Sequence, residues 1–350
     1  MHNSLASVKV LSEELTIISV VIVTYNSQTV IQDCLLPLVG EKRIQLIIVD
    51  NASEDRTIPL VLSVAPLAVV IQNTENVGFG AAVNIGANAA SGSYICLLNP
   101  DARAGSDALL SLAGVLDSDP DIGIVAPLVA APDNEFQAIA AGRSPTKWRM
   151  FTHATGMSRF GMHTALFEGH YFFQDTVENW GRVDADWVSG ACLIVRTDDW
   201  RSLEGLSDRW FMYGEDVELC LRFRALGMRV VISSEHHVKH AIGGSSSTVD
   251  GRMNPMWITN LYDLYSWRLS SSAIDALTWK GIVLAGFAGR ILTFSIRSLM
   301  LPSSRNRSKW EIRRYVVYMR ALAVQPRNLG RSRLRISSGR QMTEHLHGAA

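Results

Sequence analysis

Residues 17–24 read IISVVIVT, an unbroken apolar and mostly β-branched run that closes on Thr24-Tyr25-Asn26. A strand wetted on one face alternates apolar and polar residues. A run without alternation suits a strand covered on both faces, as in a parallel sheet. Residues 44–49 (IQLIIV) repeat the pattern and end at Asp50, and residues 67–71, 94–98 and 122–125 supply further short strands. Helical segments fall between them, from about Ser27 to Val39, Gly80 to Ala90 and Ser106 to Leu116. Strands alternating with helices predict an α/β fold with a mostly parallel central sheet flanked by helices. Three polar clusters, Thr24-Tyr25-Asn26, Asp50-Asn51 and Asn99-Pro100-Asp101, each stand just past the C-terminal end of a predicted strand. In open α/β sheets that edge is where ligands bind.

Residues 131–181 lose this pattern and read as a variable loop region, a lid or part of an acceptor pocket. Order returns at Asp186-Trp187, with residues 188–196 (VSGACLIVR) as a strand. A helix is expected from Glu215 to just before Gly227, with Leu219, Phe223 and Leu226 on one face and Gly227 as its cap. A short strand at 230–232 leads to His236, His237 and His240. The expected divisions are an N-terminal tail at 1–15, the α/β domain at 16–250, a helical and membrane-associating region at 251–325, and a flexible basic tail at 326–350.

The net charge of zero hides a split. Residues 268–340 carry fifteen Lys or Arg against two acids, while the rest of the chain carries eighteen against thirty-one. An acidic body with a basic C-terminal part suits contact with an anionic surface. Residues 281–301 are long enough for a membrane span, but Arg290 and Arg297 interrupt them on one helical face. An Arg near the bilayer centre costs ~2.5–3.5 kcal/mol on insertion scales. That favours a helix lying in the interface, with Trp257, Trp267, Trp279 and Trp310 beside it. Nucleic acid is not an expected partner, because no aromatic-basic reader module is present. Whether the chain forms a homo-oligomer is left open. Cys34, Cys96, Cys192 and Cys220 are widely spaced, form no CxxC pair, and read as buried reduced thiols. The first fifteen residues have no secretory-signal pattern, so a cytoplasmic location is expected.

Several residues carry candidate chemistry. Asp101 at a strand end suits a hard divalent cation, which a protein binds through one or two carboxylates while phosphate oxygens complete the shell. The same Asn-Pro-Asp would also serve as a turn that caps the next helix. Glu215-Asp216, after the flexible Gly214, suit general-base work, although a helix dipole favours acids there in any case. His240 becomes a metal ligand only if its loop returns near Asp101. Residues 76–80 (NVGFG) resemble a dinucleotide fingerprint, but position 83 is Val and no acid follows at the right distance, so a nicotinamide or flavin role is rejected. A nucleotidyltransferase would want a glycine-rich basic loop after the first strand, and residues 24–28 (TYNSQ) offer none.

The segments VVIVTYNS (20–27), IIVDNASEDRT (47–57), NTENVGFGAAVNIGANAASG (73–92), LLNPDA (97–102), DWVSGACLIVR (186–196) and FMYGEDVELCLRFRALG (211–227) together resemble glycosyltransferase family 2, in particular its bacterial rhamnosyltransferase-like members. The resemblance runs from about Ile17 to Ser245. It implies a GT-A (nucleotide-diphospho-sugar transferase) fold with a C-terminal helical basic extension, and an inverting hexosyltransferase. Thr24, Tyr25, Asn26 and Asp50 would hold the nucleotide, and Asn76 and Gly78 would lie near the diphosphate or donor sugar. Asn99 and Asp101 occupy the place of the family's metal motif, with Asn99 standing where many relatives carry Asp. Asp216 matches the catalytic base, with Glu215 beside it. Asp101 and His240 would hold Mg²⁺ or Mn²⁺. Trp187, Ser189 and Gly190 would form part of the acceptor site. The implied donor is TDP-rhamnose first and a UDP-sugar second. The implied acceptor is a saccharide or lipid-linked saccharide in cell-envelope polysaccharide synthesis, met at the cytoplasmic face of the inner membrane. The alternative is a catalytically silent sugar-nucleotide binder that scaffolds an assembly complex.

Overall fold

The computed structural model describes residues 17–130, 138–160, 164–173, 177, 181–240, 248–249 and 252–328. The expected N-terminal tail, nearly all of the expected basic tail and the side chain of His240 lie outside the described residues. In chain order the elements are β1 (Ile18–Thr24), α1 (Ile31–Leu35), β2 (Ile44–Asp50), α2 (Thr57–Val64), β3 (Val69–Gln72), α3 (Phe79–Ala87), β4 (Tyr94–Leu98), β5 (Ala102–Arg103), α4 (Ser106–Ser118), β6 (Ile122–Ala130), β7 (Ala138–Gly142), α5 (Lys147–Thr155), β8 (Tyr171–Phe173), β9 (Arg182–Ala185), β10 (Trp187–Val188), β11 (Cys192–Arg196), α6 (Thr197–Ser202), α7 (Glu215–Ala225), β12 (Arg229–His240), β13 (Thr248–Val249), β14 (Arg252–Met253), α8 (Met256–Leu264), α9 (Ala273–Met300) and α10 (Arg305–Val324).

The main sheet runs β3-β2-β1-β4-β11-β6-β12-β5, with β9 also paired to β12. Strands β3, β2, β1 and β4 are parallel. β11 is antiparallel to both its neighbours, and β12 is again parallel to β6. Every residue of β1 is buried. Ile18, Val20 and Ile22 face a core shared with α1, α2 and α4, while Val21 and Val23 face a second core shared with α3 and α7. This two-sided burial is the physical reason for the unbroken apolar run, since each fully buried Val or Ile contributes roughly 1.5–3 kcal/mol. All four cysteines are free and buried.

Three stretches depart from the sequence reading. The expected strand at 188–196 is two strands, broken at Ser189–Ala191, because these residues bond to the neighbouring helix and strand end as described below. The stretch read as loop contains β7, α5 and β8. Helix α5 has a cap at each end: the Thr146 hydroxyl accepts from Arg149 N, and Gly156 closes the helix at φ +85°. The short strand expected at 230–232 extends through β12, which reaches His240.

The second core continues without interruption from Leu219, Cys220 and Phe223 of α7 into Ile258 and Tyr262 of α8, Trp279 and Phe287 of α9, and Tyr315 and Tyr318 of α10. Trp279 therefore does not face an interface. It is fully buried, and its indole N–H donates to Pro145 O at 2.7 Å. Trp257 likewise packs edge-on against Tyr318. Arg290 turns inward and donates to Ala154 O at 3.2 Å, where it complements the C-terminal end of α5. Lys280 donates to Ala323 O and Gln325 O at the end of α10.

Helix α3 lies close against β1 and β2 at Gly86. A Cβ there would stand 2.6 Å from Val21 Cγ1 and 2.8 Å from Val49 Cγ2. Gly86→Val should therefore overpack this seam and lower the unfolding free energy by about 1–3 kcal/mol, as read by urea denaturation.

Candidate functional site

The loops after β1 and β2 interlock at the carboxyl edge of the sheet. Thr24 and Asp50 are register partners, and the Thr24 hydroxyl donates to Asp50 Oδ1 at 2.8 Å. Ser53 donates its hydroxyl to Asp50 Oδ1 at 2.5 Å and its backbone N–H to Asp50 Oδ2 at 2.9 Å. Asn26, in the left-handed region at φ +50°, donates its N–H to Ser53 Oγ at 2.9 Å and accepts from Glu54 N at 2.9 Å. Asp50 is thus buried and held rigid, while Tyr25 stands 53% exposed at the mouth.

A second layer comes from the segment before α3. Asn76 Oδ1 accepts from Gly78 N at 3.1 Å, and Asn51 Nδ2 donates to Gly78 O at 3.2 Å. Gly78 sits at φ +88°, and a Cβ there would lie 2.6 Å from Phe211 O. The next residue, Phe79, donates its N–H to that same Phe211 carbonyl at 2.8 Å. Only glycine permits so close an approach of two backbones with positive φ.

The carboxylates meet on the same edge. Asn99 N donates to Ala191 O at 2.9 Å, and the adjacent Gly190 N donates to Asp216 Oδ2 at 3.1 Å. The break between β10 and β11 therefore bridges the Asn99-Pro100-Asp101 turn to the start of α7. Gly190 is closely approached by the Phe79 ring, which a Cβ would meet at 3.1 Å. Ser189 N bonds Ala140 O at 2.8 Å, and the Ser189 hydroxyl accepts from Ala191 N at 3.2 Å. β5 pairs with the end of β12, so the backbone of His240 stands opposite Ala102, one residue from Asp101. Trp187 lies beneath this edge. It is buried, stacked on His170 at 4.9 Å, and donates its indole N–H to Arg143 O and His170 O.

Glu215 and Asp216 occupy the first turn of α7, Glu215 buried and Asp216 half-buried. Burial raises the Glu215 pKa, and the Asp216 charge adds to the rise. Burial raises Asp216 as well, but backbone N–H groups, first that of Gly190, oppose it. Asp216 receives both Gly190 N and Val217 N, whereas Glu215 Oε2 has no hydrogen-bond partner among the described residues. Two carboxyls this close do not both ionise readily, and the backbone N–H groups on Asp216 oppose the rise there. The Tyr213 phenol beside them is pushed up to about 12 by burial and by the charges of Glu215 and Asp216.

The structure thus brings together Thr24, Tyr25, Asn26, Asp50, Asn76, Gly78, Asn99, Asp101, Ser189, Gly190, Glu215, Asp216 and the backbone of His240, with Trp187 as underlying support. Sequence reasoning missed Ser53, which locks Asp50, and Tyr213, whose positive φ has no local signature. Among the described residues no three His, Cys, Asp or Glu side chains form a cage for a metal ion. The donor set fits a hard cation bound mainly through phosphate oxygens and one protein carboxylate.

Residues 19–176 match glycosyl transferase family 2. The chain is 27% identical over 253 residues to the N-acetylglucosaminyl-diphospho-decaprenol L-rhamnosyltransferase of Mycobacterium tuberculosis, covering 65% of this chain and 78% of that protein. It is 30% identical over 80 residues to rhamnosyltransferase WbbL of Escherichia coli, covering 23% of this chain and 28% of the relative. Among solved structures it is similar to the mannosyltransferase PcManGT of Pyrobaculum calidifontis, in complex with GDP-mannose and Mn²⁺, with TM-score 0.52 at 15% identity over 88% of this chain and 86% of that one. The last likeness shows the GT-A fold.

The raised pKa of Glu215 has a sign that can be tested. The folded chain keeps a proton that the unfolded chain releases as pH rises through the ordinary carboxylate range. Its contribution to stability is complete below the unfolded pKa and declines with rising pH until the folded pKa is reached. Glu215→Gln should remove this decline, so the stability of the variant relative to the native chain should grow from acid to neutral pH in urea titrations.

Proposed function

Because residues 19–176 match glycosyl transferase family 2, we propose that the chain is a member of that family and transfers a sugar, with inversion, from a nucleoside-diphosphate donor to a hydroxyl of a lipid-linked saccharide in cell-envelope polysaccharide synthesis, with Asp216 as general base. The observation that carries this reading is the chain of bonds from Asp216 through Gly190 and Ala191 to Asn99, which supports a carboxylate beside the Asn99–Asp101 turn. L-rhamnose from TDP-rhamnose is the first candidate for the transferred group, supported by the mycobacterial L-rhamnosyltransferase relative, and a UDP-linked hexose is the second. The lipid-linked acceptor is supported by that same relative.

In this reading Thr24, Tyr25, Asn26 and Asp50 hold the nucleotide, the exposed Tyr25 ring offering a face for the base. Asn76 and Gly78 lie along the diphosphate. Mg²⁺ or Mn²⁺ would be held by Asp101, with His240 from the neighbouring strand, and would neutralise charge on the leaving diphosphate. Ser189 and Gly190 border the acceptor. Asp216 takes the proton of the acceptor hydroxyl, whose oxygen attacks the anomeric carbon opposite the leaving group. The carbon–oxygen bond to the diphosphate breaks as the new one forms. The raised pKa of Glu215 lessens the tendency for a second negative charge to form beside Asp216.

Helix α9 is long and apolar enough to cross a membrane by length and composition. One face of it packs on α5 and α10 through Trp279, Val283 and Phe287, while Ile274, Leu277, Leu292, Ile296, Leu299 and Met300 are exposed. Arg297, Arg305, Arg307 and Arg313 are exposed around its end. A helix already committed on one side suits a bilayer surface on the other, with anionic lipid adding about 1 kcal/mol per nearby cation. The protein accordingly works as a peripheral enzyme at the cytoplasmic face of the inner membrane.

Asp216→Asn should abolish transfer from TDP-rhamnose or UDP-hexoses while leaving donor affinity, read by calorimetry, within about twofold of the native value; full transfer in that variant would remove Asp216 from the mechanism. Leu292→Glu combined with Leu299→Glu should weaken co-sedimentation with anionic vesicles by roughly tenfold or more without lowering the unfolding midpoint; unchanged sedimentation would exclude this face as the contact.

A further inference from the structure

The turn that delivers the two carboxylates is held in an unfavourable shape, and what holds it lies outside the sheet. Tyr213 has φ +69° and Gly214 φ +107°. Glycine enters this region freely, but a tyrosine persists there only where its surroundings over-determine it. Here they do. Asn260 of α8 spends one amide group on two successive carbonyls of the turn, its Nδ2 donating to Met212 O at 2.7 Å and to Tyr213 O at 3.0 Å. An amide nitrogen has two hydrogens set in one plane, so this double bond fixes the orientation of both peptide units.

The grip continues along α8. Asp263 accepts from Arg209 Nε at 2.6 Å and from Trp210 Nε1 at 2.9 Å, and both members of the Arg209–Asp263 pair are buried. The approach to the turn is thus pinned at residues 209 and 210, and the turn itself at 212 and 213. On its far side, two residues after Gly214, Asp216 Oδ2 has to reach Gly190 N. If the turn relaxed to negative φ at Tyr213, the start of α7 would reorient and that bond would be lost.

We propose that Asn260 is a positioning residue for the transfer reaction: it holds the left-handed Tyr213–Gly214 turn and through it aims the Asp216 carboxylate. The inference rests on the reading of Asp216 as the base only for its effect on rate; the clamp itself is a conformational statement. It assigns α8, which lies beyond the stretch that matches the family, a part in the catalytic centre.

The test uses the full chain with Asn260→Ala, Tyr213→Gly and the double variant. Amide hydrogen exchange reads the Gly190 N–H, which donates to Asp216, against the amides of β1 as a stability control. Asn260→Ala is expected to speed exchange at Gly190 by tenfold or more and leave β1 unchanged. It should also lower kcat for transfer from TDP-rhamnose to lipid-diphosphate-linked N-acetylglucosamine by about tenfold to a hundredfold, with the donor KM unchanged. In the Tyr213→Gly background, where the backbone accepts positive φ unaided, adding Asn260→Ala should change exchange at Gly190 by less than about twofold. Unchanged exchange at Gly190 in Asn260→Ala, an equal rise at Gly190 and β1, or the same loss in both backgrounds would overturn the clamp. A rise confined to Gly190 with unaltered kcat would also overturn Asn260 as a positioning residue for transfer, whereas the reading of Asp216 as the base fails separately, if Asp216→Asn keeps full transfer.

Discussion

Strand β1 has no side that faces water, and the site follows from that constraint. Burial along its whole length leaves the strand no freedom to slip, because a shift of one residue would exchange the sets that face the two cores. Thr24 is therefore fixed at the carboxyl edge, and Asp50 is fixed beside it by the register of the parallel pair. The polar groups of the edge then bond to one another across the loops rather than to solvent. The result is a rigid rim built before any ligand arrives, the arrangement that electrostatic stabilisation of a charged transition state requires.

The two acids at the start of α7 show the same economy. Glu215 is buried and Asp216 half-buried, and they differ in what they receive. Backbone N–H groups reach Asp216, while Glu215 Oε2 has no hydrogen-bond partner among the described residues. That asymmetry gives otherwise similar neighbours different surroundings. Deeper along α7, Glu218 is fully buried between Arg222 and Arg268, which ties the helix to the C-terminal segment. Removing one partner of such a buried pair typically costs about 3–5 kcal/mol, so the acids rest on a helix that is locked at its core.

Much of this was legible in the chain because the relevant signals are local. An apolar run ending in Thr, Asp or Asn marks a buried strand and its exit, and the strand ends at 24, 50 and 98 stand where the pattern puts them. The helix beginning at Glu215 and ending before Gly227 is likewise visible from its cap and from Leu219 and Phe223, which are buried, whereas Leu226, expected on the same face, is exposed past the helix end. Signals that depend on distant partners were not legible. The helix expected from Ser27 begins only at Ile31, since Ser27 N and Gln28 N are drawn to Thr57 and Asp55 across the neighbouring loop. The break at Ser189–Ala191 answers to Asp216 and Asn99, which are far away in sequence. Helix α5 had readable caps in Thr146 and Gly156, obscured by the mixed composition around it. Tyr213 reads as an ordinary aromatic residue, and its strain is apparent only when the backbone is seen.

The contact between Gly78 and Phe211 joins two stretches far apart along the chain. One backbone belongs to the segment before α3, the other to the segment that precedes the acids, and they touch with no side chain between them. Their shapes are consequently inherited as a unit. An engineer who wished to exchange the 73–80 loop for that of a homologue with another sugar preference would have to transplant the opposing 209–214 stretch along with it, because each serves as the mould for the other.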